Sequence, residues 1–125
     1  MKSESAYYSH SKKKYDLPIE EEEYAFIKEH FDGFVICPNQ HLNGMIGSDN
    51  YYQVIATTSV VYASELDGFI GRGMYDECRF SLEHGIPVLV IRKNEVGEYF
   101  TLKVFDVVKT GIASRNSFAK LIIGT

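Results

Sequence analysis

Hydrophobic residues gather into short solid blocks separated by longer amphipathic or polar stretches. Phe34-Val35-Ile36-Cys37 follows the turn signal Asp32-Gly33, Val60-Val61-Tyr62-Ala63 is a second block, and Val88-Leu89-Val90-Ile91 follows Gly85-Ile86-Pro87. Ala6-Tyr7-Tyr8 is a weaker fourth. Continuous runs of β-branched and aromatic residues predict strands buried on both faces, the habit of a parallel sheet. After Ile91 the pattern changes. Asn94-Glu95-Val96-Gly97 reads as a turn into an edge strand over 99–105, with a looser tail from Asp106.

Helical patterns fill the gaps. Pro18 opens the first, with Glu20 to Glu23 in its first turns, where the helix dipole favours anions, and Tyr24, Ile27 and Phe31 follow at helical spacing. Ser48 or Asp49 is placed to cap a second helix that turns Tyr52, Val54 and Ile55 inward. In the third, Met74, Cys78 and Leu82 recur every four residues, and Gly85 suits the position just past the helix end. Strand and helix in alternation predict one α/β domain over 1–125, Rossmann-like and doubly wound. Its sheet is expected to be mostly parallel, with about five strands flanked by helices. There is no internal repeat, low-complexity segment or linker.

Composition narrows the function. The chain has 125 residues, 45% of them hydrophobic and 24% charged, which suits one ordinary folded domain. A formal charge of −4 argues against a nucleic-acid polymer held through its phosphates. The one basic run, Lys12 to Lys14, is soon answered by Glu20 to Glu23. The N-terminus lacks the apolar core of a signal peptide, and no apolar run approaches the roughly 20 residues of a membrane span. A cytoplasmic protein without a membrane partner is expected. Cys37 and Cys78 have no metal-ligand spacing, so buried free thiols are expected rather than a disulfide.

In an open α/β sheet, ligands bind beyond the carboxyl ends of the strands, where strand order reverses. That rule selects Ser9-His10-Ser11, Pro38-Asn39-Gln40-His41 and the loop from Ser64 to Gly73. Gly71-Arg72-Gly73 lacks the third glycine of a dinucleotide fingerprint, because Asp76 stands there, and Met74 replaces the lysine of a phosphate loop. These glycines serve either a tight positive-φ loop or the close approach of a sugar or phosphate to backbone amides. Glu77 is expected in the first turn of the third helix, where the dipole would keep it ionised. It is either a nucleophile or a surface carboxylate complementing the helix end. Glu65 and Asp67 can accept from sugar hydroxyls, although Asp67-Gly68 also reads as a plain turn. His10 and His41 lie in adjacent loops, but no third ligand at metal spacing accompanies them, so neither a metal nor a cofactor is expected. His30 and His84 sit where a cation complements a helix C-terminus. Among Tyr7, Tyr8, Tyr51, Tyr52 and Tyr75, a ring near the site could stack on a nucleobase.

The segment from Glu77 through Ser81 and Gly85-Ile86-Pro87-Val88 resembles the signature of nucleoside 2-deoxyribosyltransferase-like proteins, in which a helix-borne glutamate precedes a small-x-x-x-G-[IK]-P-V run. Asp67-Gly68-Phe69-Ile70-Gly71-Arg72-Gly73-Met74-Tyr75 is similar to that family's glycine-rich loop. Tyr8-Ser9-His10-Ser11 followed by Tyr15 resembles the first-strand loop of its small archaeal and phage members, and Cys37-Pro38-Asn39 resembles the end of their second strand. The likeness touches most of residues 5–92. Ser59 stands where the family has an aspartate, and the serine or threonine shortly before the glutamate is missing.

The resemblance implies a flavodoxin-like fold and cleavage or transfer at the N-glycosidic bond of a nucleoside or nucleotide. Glu77 would be the nucleophile, forming a covalent glycosyl-enzyme resolved by water or a second base. Glu65 and Asp67 would hold sugar hydroxyls, and Tyr8, Ser9 and His10 would border the base. Asn39, Gly71 and Gly73 would complete the substrate site. It also implies a homo-oligomer whose neighbouring subunit completes that site. The alternative is a module that captures a nucleotide-derived ligand without turning it over.

Overall fold

The four apolar blocks become four parallel strands, β1 (Ser5–Ser9), β2 (Phe34–Ile36), β3 (Val60–Ser64) and β4 (Val88–Lys93). The computed structural model describes residues 4–42, 48–112 and 114–124, the side chains of 48–50 excepted. Strands β5 (Tyr99–Lys109) and β6 (Ala119–Ile123) follow in antiparallel pairing, giving a six-stranded mixed sheet in the order β2-β1-β3-β4-β5-β6. Strand order reverses at β1, which lies between β2 and β3.

Helices cover both faces. Helix α1 (Pro18–His30) begins at Pro18 as its sequence predicts and packs Phe26 and Ile27 against Ala6, Tyr8, Val35 and Tyr62. A single turn, α2 (Pro38–His41), follows β2. Helices α3 (Ser48–Ile55) and α4 (Arg72–Glu83) lie on the opposite face, where Ile55, Met74 and Cys78 bury against Tyr7, Val61, Ala63 and Val88. The predicted capping roles of Ser48 and Asp49 lie outside the described residues. Helix α4 ends as predicted, on Gly85 at φ 72°, with the Ile86 amide donating to the Ser81 carbonyl at 2.8 Å and the Gly85 amide to that of Leu82 at 3.3 Å. This double bond pattern closes the helix and aims Pro87 into β4.

Two expectations about the C-terminal part are corrected. Residues 99–105 do not form an edge strand, and the chain after Asp106 is not a loose tail. A register shift between Val104 and Asp106 places Val104 and Val107 on the same buried face, three residues apart. That bulge breaks the two-residue period by which the rest of β5 would have been visible. Strand β6 then takes the edge, and its Ala119 exchanges two backbone hydrogen bonds with Ile70 at 2.9 and 3.1 Å. The C-terminal segment thereby fixes the loop that leads into α4. Both cysteines are buried and unbonded.

Candidate functional site

Side chains alternate across a strand, so β1 sends Tyr7 and Ser9 toward α4 and Tyr8 toward α1. On the α4 side they meet Glu77. The Tyr7 hydroxyl donates to Glu77 Oε2 at 2.7 Å and the Ser9 hydroxyl to Oε1 at 2.8 Å. Tyr7 and Ser9 are fully buried, while Glu77 keeps some exposure.

Burial pushes the Glu77 carboxyl up from its usual range, with the two hydroxyl bonds pulling the other way and the Asp76 charge adding a small upward push. Among the described residues no cation pairs with it. Tyr15 lies close by; burial, reinforced by the Glu77 charge, pushes its phenol up to about 12. Glu77 is the sixth residue of α4, not a first-turn residue. The dipole fades within one turn, so the two hydroxyls rather than the helix end supply its partners.

The α1 side holds a second polar system. Glu20 and Glu23 were expected as dipole-complementing charges at the helix start, but both turn inward and are buried. Tyr8 donates to Glu23 Oε1 at 2.5 Å, and the Ser64 hydroxyl lies 2.7 Å from both Glu23 oxygens. Lys14 is buried here too, its ammonium reaching Ser64 Oγ at 2.5 Å, the Glu65 carbonyl at 2.9 Å and Glu23 Oε2 at 3.4 Å. A lysine and a glutamate taken from water together need such mutual satisfaction. Nearer α2, His10 Nε2 sits 2.5 Å from Glu20 Oε2, and Glu20 Oε1 accepts from Asn39 Nδ2 at 3.2 Å. Burial drives the His10 ring toward its neutral form, while its Glu20 contact opposes this.

Of the expected site residues, the fold brings Ser9 directly to Glu77. Tyr8 and His10 are buried and stack on each other at 3.8 Å, on the far side of the sheet from Glu77. Asn39 is engaged with Glu20 and Cys37, while His41 accepts from the Cys37 amide at 2.8 Å. Glu65 is held by Arg92, Nε to Oε1 at 2.9 Å and a second guanidinium nitrogen to Oε2 at 3.2 Å. Asp67 (φ 54°) and Gly68 (φ 84°) form the tip of a tight turn closed between Leu66 and Phe69. Gly71 precedes α4, and a Cβ there would meet the Arg115 carbonyl oxygen at 2.8 Å, so its missing side chain makes room for the C-terminal segment. Gly73 lies in the first turn with open space around it.

Sequence reasoning missed Tyr7 as Glu77's partner, and Lys14, Glu20, Glu23, Ser64 and Arg92. A signal existed for the glutamates. Positions 20, 23 and 27 follow one helical stripe whose last member, Ile27, is core, so the same spacing points the two acids inward. Nothing in a run of three lysines marks Lys14. His30 and His84 do reach back to the carbonyls of Phe26 and Phe80, at 2.9 and 2.8 Å.

A separate recess of about 530 Å³ between α1 and the β4–β5 turn is lined by Glu22, Glu29 and Glu98 with Phe26, His30 and Tyr99, and shares no residue with the Glu77 constellation. Among the described residues, no helix is long and apolar enough to cross a membrane. The Glu77 carboxylate is thus held at both oxygens by neutral donors, with no cation beside it among the described residues. No family model matches the chain, and neither a curated protein nor a solved structure does.

Proposed function

We propose that the chain cleaves, or transfers across, the N-glycosidic bond of a nucleoside or nucleotide, with Glu77 as nucleophile. The observation that carries the reading is the pair of hydroxyl bonds from Tyr7 and Ser9 to the two carboxylate oxygens, without a neutralising cation among the described residues. Each oxygen accepts one bond and keeps a lone pair for attack. A desolvated anion is stabilised most by positive charge, and such charge develops at the anomeric carbon as the glycosidic bond breaks. One Glu77 oxygen would bond to that carbon while the carbon–nitrogen bond breaks and the base departs with its electron pair. Water or a second base would then attack the same carbon and release the carboxylate.

The strand order β2-β1-β3-β4 also supports a flavodoxin-like doubly wound core to which β5 and β6 are added, with the site at the reversal point. The motifs around Glu77 and Gly85-Ile86-Pro87 supply the family reading, that of a nucleoside 2-deoxyribosyltransferase-like protein. The second reading, capture without turnover, is favoured by one finding. Glu65 and His10, expected at the ligand, are bonded within the protein, which leaves fewer groups for positioning a sugar.

The experiment is a panel of nucleosides, nucleotides and NAD-like compounds, with free base read by chromatography. Wild type releases base from at least one, and Glu77→Gln slows this at least about a thousandfold, about 4 kcal/mol of barrier. A 2-fluoro-arabinosyl nucleoside leaves a sugar adduct on the peptide containing Glu77. Equal turnover by Glu77→Gln would exclude Glu77 as nucleophile. Tight binding to both forms without cleavage would establish capture.

A further inference from the structure

We propose that His10 Nε2, Glu20 Oε2 and Cys37 Sγ form a binding site for one divalent transition-metal cation of the zinc class. The three residues come from separate segments, the loop after β1, the first turn of α1 and the end of β2. Their donor atoms nevertheless lie within 4.8 Å of one another. All three are buried, at 6%, 1% and 0% exposure.

The hydrogen bonding of His10 can be completed in two ways, by a second ring proton or by a cation. Its Nδ1 lies 3.1 Å from the Tyr8 carbonyl and its Nε2 lies 2.5 Å from Glu20 Oε2, so both ring nitrogens face acceptors. A neutral imidazole has a single N–H. With that proton on Nδ1, donated to the Tyr8 carbonyl, the Nε2 lone pair points at a carboxylate lone pair. A cation between them removes the conflict, as a second ring proton would, and Cys37 Sγ lies within 4.8 Å of both donor atoms. An N–H donated to a backbone carbonyl is also the usual outer partner of a metal-bound histidine.

Glu20 is prepared in the same way. The Asp16 amide and Asn39 Nδ2 both donate to its Oε1, at 3.1 and 3.2 Å, which leaves Oε2 as a single, oriented ligand atom. Bonds of about 2.0–2.2 Å in tetrahedral geometry require the His10–Glu20 contact to open to about 3.3 Å, a shift of under about 1 Å. The Cys37 thiol donates to Asn39 Oδ1 at 3.2 Å. On metal binding this proton leaves to solvent and sulfur bonds as thiolate, and a water takes the fourth position of the tetrahedron. One carboxylate, one thiolate and a divalent cation sum to zero charge, which a buried site requires. Mixed nitrogen, oxygen and sulfur donors select zinc-like cations over magnesium and calcium. The ion would tie the carboxyl ends of β1 and β2 to α1, one residue from the Ser9 that holds Glu77. This inference stands apart from the glycosyl reading.

Cobalt is the probe. Chelator-dialysed wild-type protein titrated with Co²⁺ should develop tetrahedral visible bands and a thiolate-to-cobalt charge-transfer band. Both should saturate at one equivalent, be displaced by Zn²⁺ and resist excess Mg²⁺. Cys37→Ser should lose the charge-transfer band and bind Co²⁺ at least about 100-fold more weakly, whereas Cys78→Ser should match wild type. A wild-type titration without the sulfur band overturns the proposal and needs no variant to fold. A band that survives Cys37→Ser overturns it as well. Two ring N–H protons on His10 by NMR, in protein that gives no cobalt bands, would assign the His10–Glu20 contact to a proton instead.

Discussion

The Tyr7 hydroxyl donates to Glu77 Oε2 at 2.7 Å, joining a buried strand to a helix 70 residues later in the chain. Tyr7 lies in the centre of the sheet, so its ring is locked by packing and its hydroxyl is aimed without side-chain freedom to lose. The carboxylate therefore has a fixed orientation before any ligand arrives. Tyr7→Phe keeps the ring and deletes the donor. Under the proposed glycosyl chemistry, kcat should fall about ten- to a hundredfold with KM little changed, the value of one hydrogen bond to a charged group. The Tyr7 bond holds the Glu77 pKa down, so the acid limb of the rate profile should also move to higher pH. Unchanged kinetics would remove Tyr7 from the mechanism.

Glu77 also sets a pH dependence of stability. Burial raises its folded-state pKa above the ordinary 4.5, so the native protein binds this proton more tightly than the unfolded chain does. Its destabilising contribution is fully present above the raised pKa and disappears as pH falls through that value toward the unfolded one. Glu77→Gln should therefore melt higher than wild type near neutral pH, by about 3–6 °C if about 1 kcal/mol is recovered. Calorimetry at a series of pH values should show that gap shrinking on acidification. A constant gap would mean that the carboxyl is not the source.

Lys14 and Glu23 are both buried and share Ser64. Lys14→Met removes the only cation that pairs with Glu23 among the described residues and should cost about 3–5 kcal/mol in urea denaturation. The double variant Lys14→Met/Glu23→Gln should regain more than half of that loss, since no uncompensated charge remains. Additive losses would show that the pair does not act together.

The thiols should be inert. Burial, with a smaller push from the Glu20 charge, raises the Cys37 pKa to about 12, and burial also raises that of Cys78. Neither should react with a thiol reagent in the native protein, and both should react after denaturation. Rapid native labelling would contradict the packing around them.

Asp67 separates a turn from a sugar contact. Its φ of 54° is a conformation glycine adopts freely, so Asp67→Gly should leave stability unchanged or raise it by up to about 1 kcal/mol. Turnover should persist if Asp67 serves the turn alone. A selective rise in KM would instead assign it a ligand hydroxyl.

The sequence by itself determined the elements with a strong local cause. Solid apolar blocks gave four strands, Pro18 the start of α1, and Gly85 the end of α4; burial of both cysteines followed from their place in those elements. It also drew attention to Glu77 and Ser9, through the rule that ligands sit at the carboxyl edge of a parallel sheet. Two further strand features were invisible because their cause is not local. The bulge after Val104 breaks the alternation of β5, and β6 exists because it pairs with that bulged strand. Tertiary structure alone decided which polar groups meet. Tyr7 finds Glu77, Lys14 finds Ser64, and His10 finds Glu20 beside Cys37, across separations of 70, 50 and 10 residues for the hydrogen-bonded pairs. Spacing along the chain encodes which face a residue takes. Which opposing side chain completes its hydrogen bonds is set by the packing of sheet on helix.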